Sequence, residues 1–254
     1  MASNRKSETI DIVEMKQGRL RVSVLGRTPL ILARMSEKAR HELLLPKGRK
    51  TAAEKKGSLK HNPIQEFRDA PYLSEDANSS HLLELLSTAF KKAMMGAAVD
   101  IPGAAKAQVG RLVWVEGQRI GVYGTPKLHM SITRSADMNK TPDVRTRCIV
   151  PYWAASIDIS FAMPIMNEQQ VLNLLAAAGL TQGVGDWRPE KGAGNYGQFE
   201  AVSDDDSRFI ALMKEGREVQ DAAMKRADPY DSETEQLLAW FVDEAKTRGL
   251  SVVS

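Results

Sequence analysis

Cysteine is almost missing from the 254 residues: Cys148 stands alone, so no internal disulfide can form and a cysteine-rich zinc site is excluded. Long apolar runs are missing too. No stretch approaches the roughly 18–20 apolar residues that span a bilayer, and the opening "MASNRKSETIDIVEMKQGR" has no apolar h-region. These absences predict a soluble, cytoplasmic bacterial protein without membrane contact. Charge of one sign is also in short supply. The net charge is only +3, which permits contact with a polyanion but falls short of the basic excess of a dedicated duplex-DNA binder. With 43% apolar and 26% charged residues the chain can bury a core, so wholesale disorder is excluded.

Catalytic patterns are equally sparse. The four histidines, His41, His61, His81 and His129, show no H-x-x-x-H or H-E-x-x-H spacing, and there is no G-x-S-x-G elbow or GK[ST] phosphate loop. We therefore assign no catalytic residue, no metal and no cofactor. A metal-independent ribonuclease using His41, His61 or His129 stays open as an alternative.

What is present divides along the chain. "IDIVEM" and "GRLRVSVLG" alternate like strands, whereas "RTPLILARMSEKARHELL" turns to helical spacing. A basic insertion follows, with nine Lys/Arg against three acids between Arg34 and Lys60. "SSHLLELLSTAFKKAMMGAA" predicts one helix from a Ser80 cap, which would put His81 at a helix start. "IPGAAKAQVGRL" extends the helical spacing, and "RLVWVEG" with "RIGVYG" predicts a hairpin turning at Gly117-Gln118. Beyond it come a strand carrying His129, a polar excursion from Ser135 to Asp143, and one long strand through Cys148, Ile157 and Ile159. Asn167 with Gln170 forms a capping box for the helix "NEQQVLNLLAAAGL", with Gly179 at its C′ position. "QFEAV" reads as a strand, "DDDSRFIALMKEGREVQDAAMKRA" as one helix, and "DPYDSETEQLLAWFVDEAKTRG" as another with a Ser232/Glu235 capping box. This order predicts an α+β sheet with helices on one face.

The stretch "GLTQGVGDWRPEKGAGNYGQFEAV" contains G-A-G-N-Y-G, the spacing of a dinucleotide-binding turn, but in reversed context. A loop precedes its glycines and a strand follows, whereas pyrophosphate binding needs a strand before and a helix after. Single-strand nucleic-acid binding fits better, since it needs cations along the phosphates and flat side chains under the bases. The residues assigned to it are Arg34, Lys38, Lys47, Arg49, Lys50, Lys127, Arg134, Lys140, Arg145, Arg147, Arg188 and Lys191. The glycine-rich loop contributes Gly183, Gly185, Trp187, Gly192, Gly194, Tyr196 and Gly197, its glycines letting backbone amides approach phosphates. The bland alternative packs Trp187 and Tyr196 in the core and leaves the lysines solvated.

A helix ending in "LLAAAGL", then a glycine-rich loop of the form G-x-G-x-x-R-x-x-x-G-x-G with matching positions Gly183, Gly185, Arg188, Gly192, Gly194 and Gly197, then a closing strand resembles the repeat-associated mysterious protein (RAMP) superfamily. The loop is also similar to proteins encoded by bacteriophages and prophages. The superfamily resemblance implies a ferredoxin-like, RNA-recognition-motif-like antiparallel core and a likeness to the backbone subunits of CRISPR effector complexes. It also implies one domain over residues 1–254, with a basic insertion at about 34–70, a thumb-like hairpin at about 130–148 and a C-terminal helical segment at about 207–254. The function it implies is non-enzymatic binding of single-stranded RNA or DNA, RNA before DNA, with assembly into an oligomer along the strand or with a protein partner complex. An interaction protein that docks a host complex without nucleic acid is the other alternative.

Overall fold

The computed structural model describes residues 13–35, 37–44, 61–134, 142–191 and 194–250. Strand β1 (Lys16–Gly26) alternates Arg19, Arg21 and Ser23 with Leu20, Val22 and Val24, so one face of the strand is apolar. The chain then makes β2 (Leu30–Leu32), α1 (Glu37–Leu44), α2 (Pro63–Asp69), β3 (Tyr72–Leu73) and β4 (Leu83–Leu86). Helix α3 (Ser87–Ala97) buries Phe90, Ala93, Met94 and Ala97, the i, i+3, i+4, i+7 pattern of one apolar stripe. Next come α4 (Lys106–Leu112), β5 (Val113–Val115), β6 (Arg119–Val122), β7 (Lys127–Arg134), β8 (Pro142–Val150) and β9 (Ala154–Met163). The last third holds α5 (Glu168–Thr181), β10 (Phe199–Val202), α6 (Ser207–Lys214), α7 (Arg217–Arg226) and α8 (Ser232–Thr247).

The core sheet has the order β10-β1-β9-β5, with every pairing antiparallel. Tracing β1, α3, β5, β9, α5 and β10 in chain order gives a βαββαβ unit whose fourth strand lies beside its first. That is the ferredoxin-like arrangement. Helices α3 and α5 cover one face, and Phe90 meets Phe199 edge to face at 5.4 Å. Two insertions interrupt the unit, β2 to β4 before α3 and β6 to β8 before β9. They pair with each other, forming the small sheets β2-β8-β7 and β3-β4-β6.

Several boundaries differ from the sequence reading. Leu83 to Leu86 is strand, because alternation buries Leu83 and Leu85 between β3 and β6; α3 starts only at Ser87, and His81 precedes a strand. Leu30 to Leu32 is likewise strand, tied to β8. The β5–β6 hairpin does not form, since β5 joins β9 and β6 joins β4. The long strand through Cys148 and Ile157 is two strands, broken where the chain leaves the β2-β8-β7 sheet for the core sheet at residues 151–153. There Trp153 is fully buried and donates Nε1–H to the Thr28 carbonyl at 2.9 Å.

The capping box of Asn167 and Gln170 forms as read, but α5 runs past Gly179 to Thr181. Gly179 lies inside the helix because a Cβ there would sit 2.1 Å from the Phe199 carbonyl oxygen. The helix read over Asp204–Ala227 is two, α6 and α7, parted at Glu215-Gly216. Asp231, not Ser232, caps α8, accepting from the Thr234 amide at 2.8 Å. Val13 to Met15 are exposed and outside β1, and the rest of "IDIVEM" lies outside the described residues.

Candidate nucleic-acid interface

The glycine loop leaves α5 at Thr181 and closes onto β10. Gly183, Gly185 and Gly197 have φ of 67°, 84° and 71°, a region open to glycine at no steric cost; Trp187 also lies there, at 50°. The amides are already committed. Those of Val184 and Gly197 donate to Gly197 O and Pro29 O at 2.9 and 2.8 Å, and that of Asp186 donates to Ile31 O at 2.9 Å. A Cβ on Gly194 would lie 1.6 Å from the Trp187 carbonyl oxygen. The glycines thus let the loop approach its own backbone and β2, and the amides of Val184, Asp186 and Gly197 are turned to protein carbonyls.

This stitching places the side chains. Arg188 donates to Gly185 O at 2.8 Å and to Glu190 at 2.7 Å. Arg147 on β8 donates to Asp186 at 3.1 Å, locking the loop to the β2-β8-β7 sheet. Trp187 sits 6.2 Å from Tyr196 and packs edge-on at 6.5 Å against His129, which is buried. Neither ring nitrogen of His129 has a hydrogen bond, although Asp231 lies 3.5 Å from Nδ1. Burial lowers the pKa of His129, and Asp231 opposes that shift in part.

Between the loop, β2, β4 and the start of α3 lies a cleft of about 280 Å³. Arg34, Lys92 and Arg188 bring positive charge to it, Glu84 and Asp186 bring negative charge, and Leu85 and Val184 are among its apolar walls. Arg34 and Arg119 lie on the Tyr72 ring at 5.1 and 5.0 Å from its centre. Arg119 is neutralised by Glu84 at 3.1 Å. Among the described residues Arg34 and Lys92 have no carboxylate partner, so the cleft carries unbalanced positive charge.

Of the residues assigned from sequence, the structure gathers Arg34, Gly185 and Arg188 at this cleft and Arg147 behind it. Lys127 begins β7, while Arg134 and Arg145 are exposed farther along β7 and β8, with Arg145 3.6 Å from Asp143. Lys47, Arg49, Lys50, Lys140 and Gly192 lie outside the described residues, as do the side chains of Lys38 and Lys191. Sequence reasoning missed Tyr72, Glu84, Lys92 and Arg119. Lys92 reads as the solvated face of a helix, and the other three meet only through the pairing of β3, β4 and β6.

Two of the histidines, His61 and His81, have side-chain hydrogen bonds within the protein. His61 bridges Glu66 (2.9 Å) and Asp143 (3.0 Å), fastening the start of α2 to the base of the β7–β8 excursion. Cys148 is fully buried, which pushes its thiol pKa far up. No cluster of three or more His, Cys, Asp or Glu suited to a metal occurs among the described residues, and no helix there is long and apolar enough to cross a membrane.

No family model matches the chain, and no curated protein matches it either. Solved structures that it resembles include a chain of the type III-B Cmr-beta complex bound to cognate target RNA, at 11% identity and a TM-score of 0.41. That match covers 74% of this chain and 60% of the other, so the protein spans about three-fifths of that subunit's length. Another is Cmr6 from Pyrococcus furiosus, at 8% identity and a TM-score of 0.38, covering 74% of this chain and 98% of that one.

Proposed function

We propose that the protein binds single-stranded nucleic acid, RNA before DNA, through its phosphate backbone, and that it does so without cleaving it. The observation that carries this reading is the cleft in which Arg34 and Lys92, neither neutralised by a carboxylate, stand opposite Arg188 of the glycine loop. A strand entering there exchanges condensed counterions for fixed cations, which makes affinity fall with salt. The exposed Arg134 and Arg145 on β7 and β8 extend the path. Because most loop amides are engaged within the protein, side chains supply the contacts. The preference for RNA follows from the family resemblance of the loop, as does the further proposal of a backbone-like oligomer or a protein partner complex.

Retention of an unstructured oligonucleotide on filters at rising salt tests the reading. Wild type should bind at low salt, and Arg34→Ala with Lys92→Ala should lower the slope of log affinity against log salt by about 1.4, each phosphate contact on a single strand being worth about 0.7. Failure to retain oligonucleotide even at low salt rejects the reading. Shortening of the labelled RNA on prolonged incubation rejects its non-cleaving part.

A further inference from the structure

Among the described residues, the second face of the core sheet, turned away from the α3 and α5 packing, is covered at one end, where Phe209 of α6 packs on Leu25 and Ala154. Residues paired across neighbouring strands share a face, and the registers set Trp114, Ser160 and Arg19 in one row across β5, β9 and β1. The middle of this row is low. Ser160 and Ala162 on β9 are 1% and 7% exposed, small side chains flooring a hollow of about 590 Å³ whose lining includes Trp114, Lys16, Gln17 and Glu116, and Arg19 lines an adjoining hollow with Glu116 and Asp158. Trp114 is 41% exposed, and Arg19 is also exposed. With strands about 4.8 Å apart, the Trp114 and Arg19 backbones stand about 10 Å from each other, which leaves room for a flat ring between the indole and the guanidinium stem.

The charges around this notch favour one kind of occupant. Arg19 has no carboxylate partner among the described residues, whereas the neighbouring Asp158 is neutralised by a bidentate contact with Arg21 at 2.7 and 2.9 Å. The ammonium of Lys91, which reaches around the β5 edge from α3, lies over the Trp114 ring at 6.0 Å from its centre and adds a second cation at the indole. Met15 and Val115 add apolar surface to the hollow and Glu116 brings one carboxylate to it; an exposed indole in the same row as the unpaired Arg19 suits a flat ring carried on an anionic chain. We propose that this notch stacks one unpaired base of a single-stranded nucleic acid on Trp114, with Arg19 and Lys91 drawing the adjoining phosphates. The site rests on the nucleic-acid reading above but uses none of the cleft residues.

Fluorescence anisotropy with a labelled uridine oligonucleotide, and with the same sugar-phosphate chain lacking bases, separates the two. Trp114→Ala should weaken binding of the oligonucleotide roughly 5- to 150-fold, matching about 1–3 kcal/mol for one stacked base. It should leave the salt slope and the binding of the abasic chain unchanged. Trp114→Phe should recover much of the loss, which excludes a folding defect. If Trp114→Ala binds like wild type while Arg34→Ala with Lys92→Ala loses binding, the sheet-face site is wrong and the cleft reading stands. A Trp114→Ala variant that instead changes only the oligomeric state in light scattering assigns the face to protein contact and overturns the site. No binding by wild type at all removes both.

Discussion

Gln220 shows how much one side chain can carry. Fully buried on α7, its Oε1 accepts from the amides of Leu82 and Leu83 at 2.7 and 3.2 Å, and its Nε2 donates to the carbonyls of Val122 and Gly124 at 2.8 and 3.0 Å. The amide thereby satisfies β4 and β6 at once. Gln220→Ala should cost about 2–4 kcal/mol in urea unfolding, since each buried polar group left unpaired costs about 1–3 kcal/mol. In sequence it is one polar residue on a polar helix, with nothing to mark it. Gly194 was legible as part of a motif, but its reason was not. Gly194→Ala should destabilise by about 1–3 kcal/mol, as overpacking does, because the new methyl meets a backbone carbonyl that cannot swing away.

Among the elements, helix α8 is joined to the glycine loop through an aromatic box in which His129 lies between Trp187 and Tyr230, at 6.5 and 5.6 Å, beside the helix-capping Asp231. Burial lowers the pKa of His129 below the ordinary 6.5, against opposing attraction from Asp231 and Glu233, with Arg147 adding to the depression. His81 is lowered in the same way, by burial first. Between the folded and ordinary values the unfolded chain binds more protons, so stability rises with pH there and is lost as pH falls below about 6.5. Replacing His81 and His129 together by Gln should flatten the slope of stability between about pH 5 and 7. A slope unchanged from wild type would contradict the assignment. Asp158, held low by its hydrogen bonds from Arg21, acts in a different window, its contribution vanishing only as pH falls below 3.8 toward its folded value. Element identity was readable where local signals were complete, as in the Asn167–Gln170 box of α5. It was misread at Leu83 to Leu86, where a leucine-rich run serves helix and strand equally and the partners β3 and β6 decide.

Across the whole molecule, the two insertions interlock, one from each half of the βαββαβ unit, and their buried residues join the core sheet in one apolar cluster reaching from Val22 to Met224. Trp153 marks the crossing between sheets, bonded to Thr28 just ahead of β2 and packed on Phe199 of β10. Because this cluster spans the core sheet and both insertions, urea transitions followed by far-UV circular dichroism and by tryptophan emission should coincide. Two resolved transitions would show that the β2-β8-β7 sheet melts independently. The same interlocking creates the cleft: Arg34 belongs to the first insertion, Arg147 behind it to the second, and Arg188 to the loop that closes the core.

By itself the sequence determined the α+β class, the impossibility of an internal disulfide, the strand β1, the N-cap of α5 and the position of the glycine loop, because each is written in local spacing or composition. Tertiary structure alone decided which strands pair, that the loop amides face inward, and that Tyr72, Glu84, Lys92 and Arg119 meet Arg34 near Arg188. Those outcomes depend on backbone hydrogen bonds between separate segments, from Tyr72 with Glu84 to Lys16 with Met163, which carry no side-chain pattern that a reading along the chain can detect.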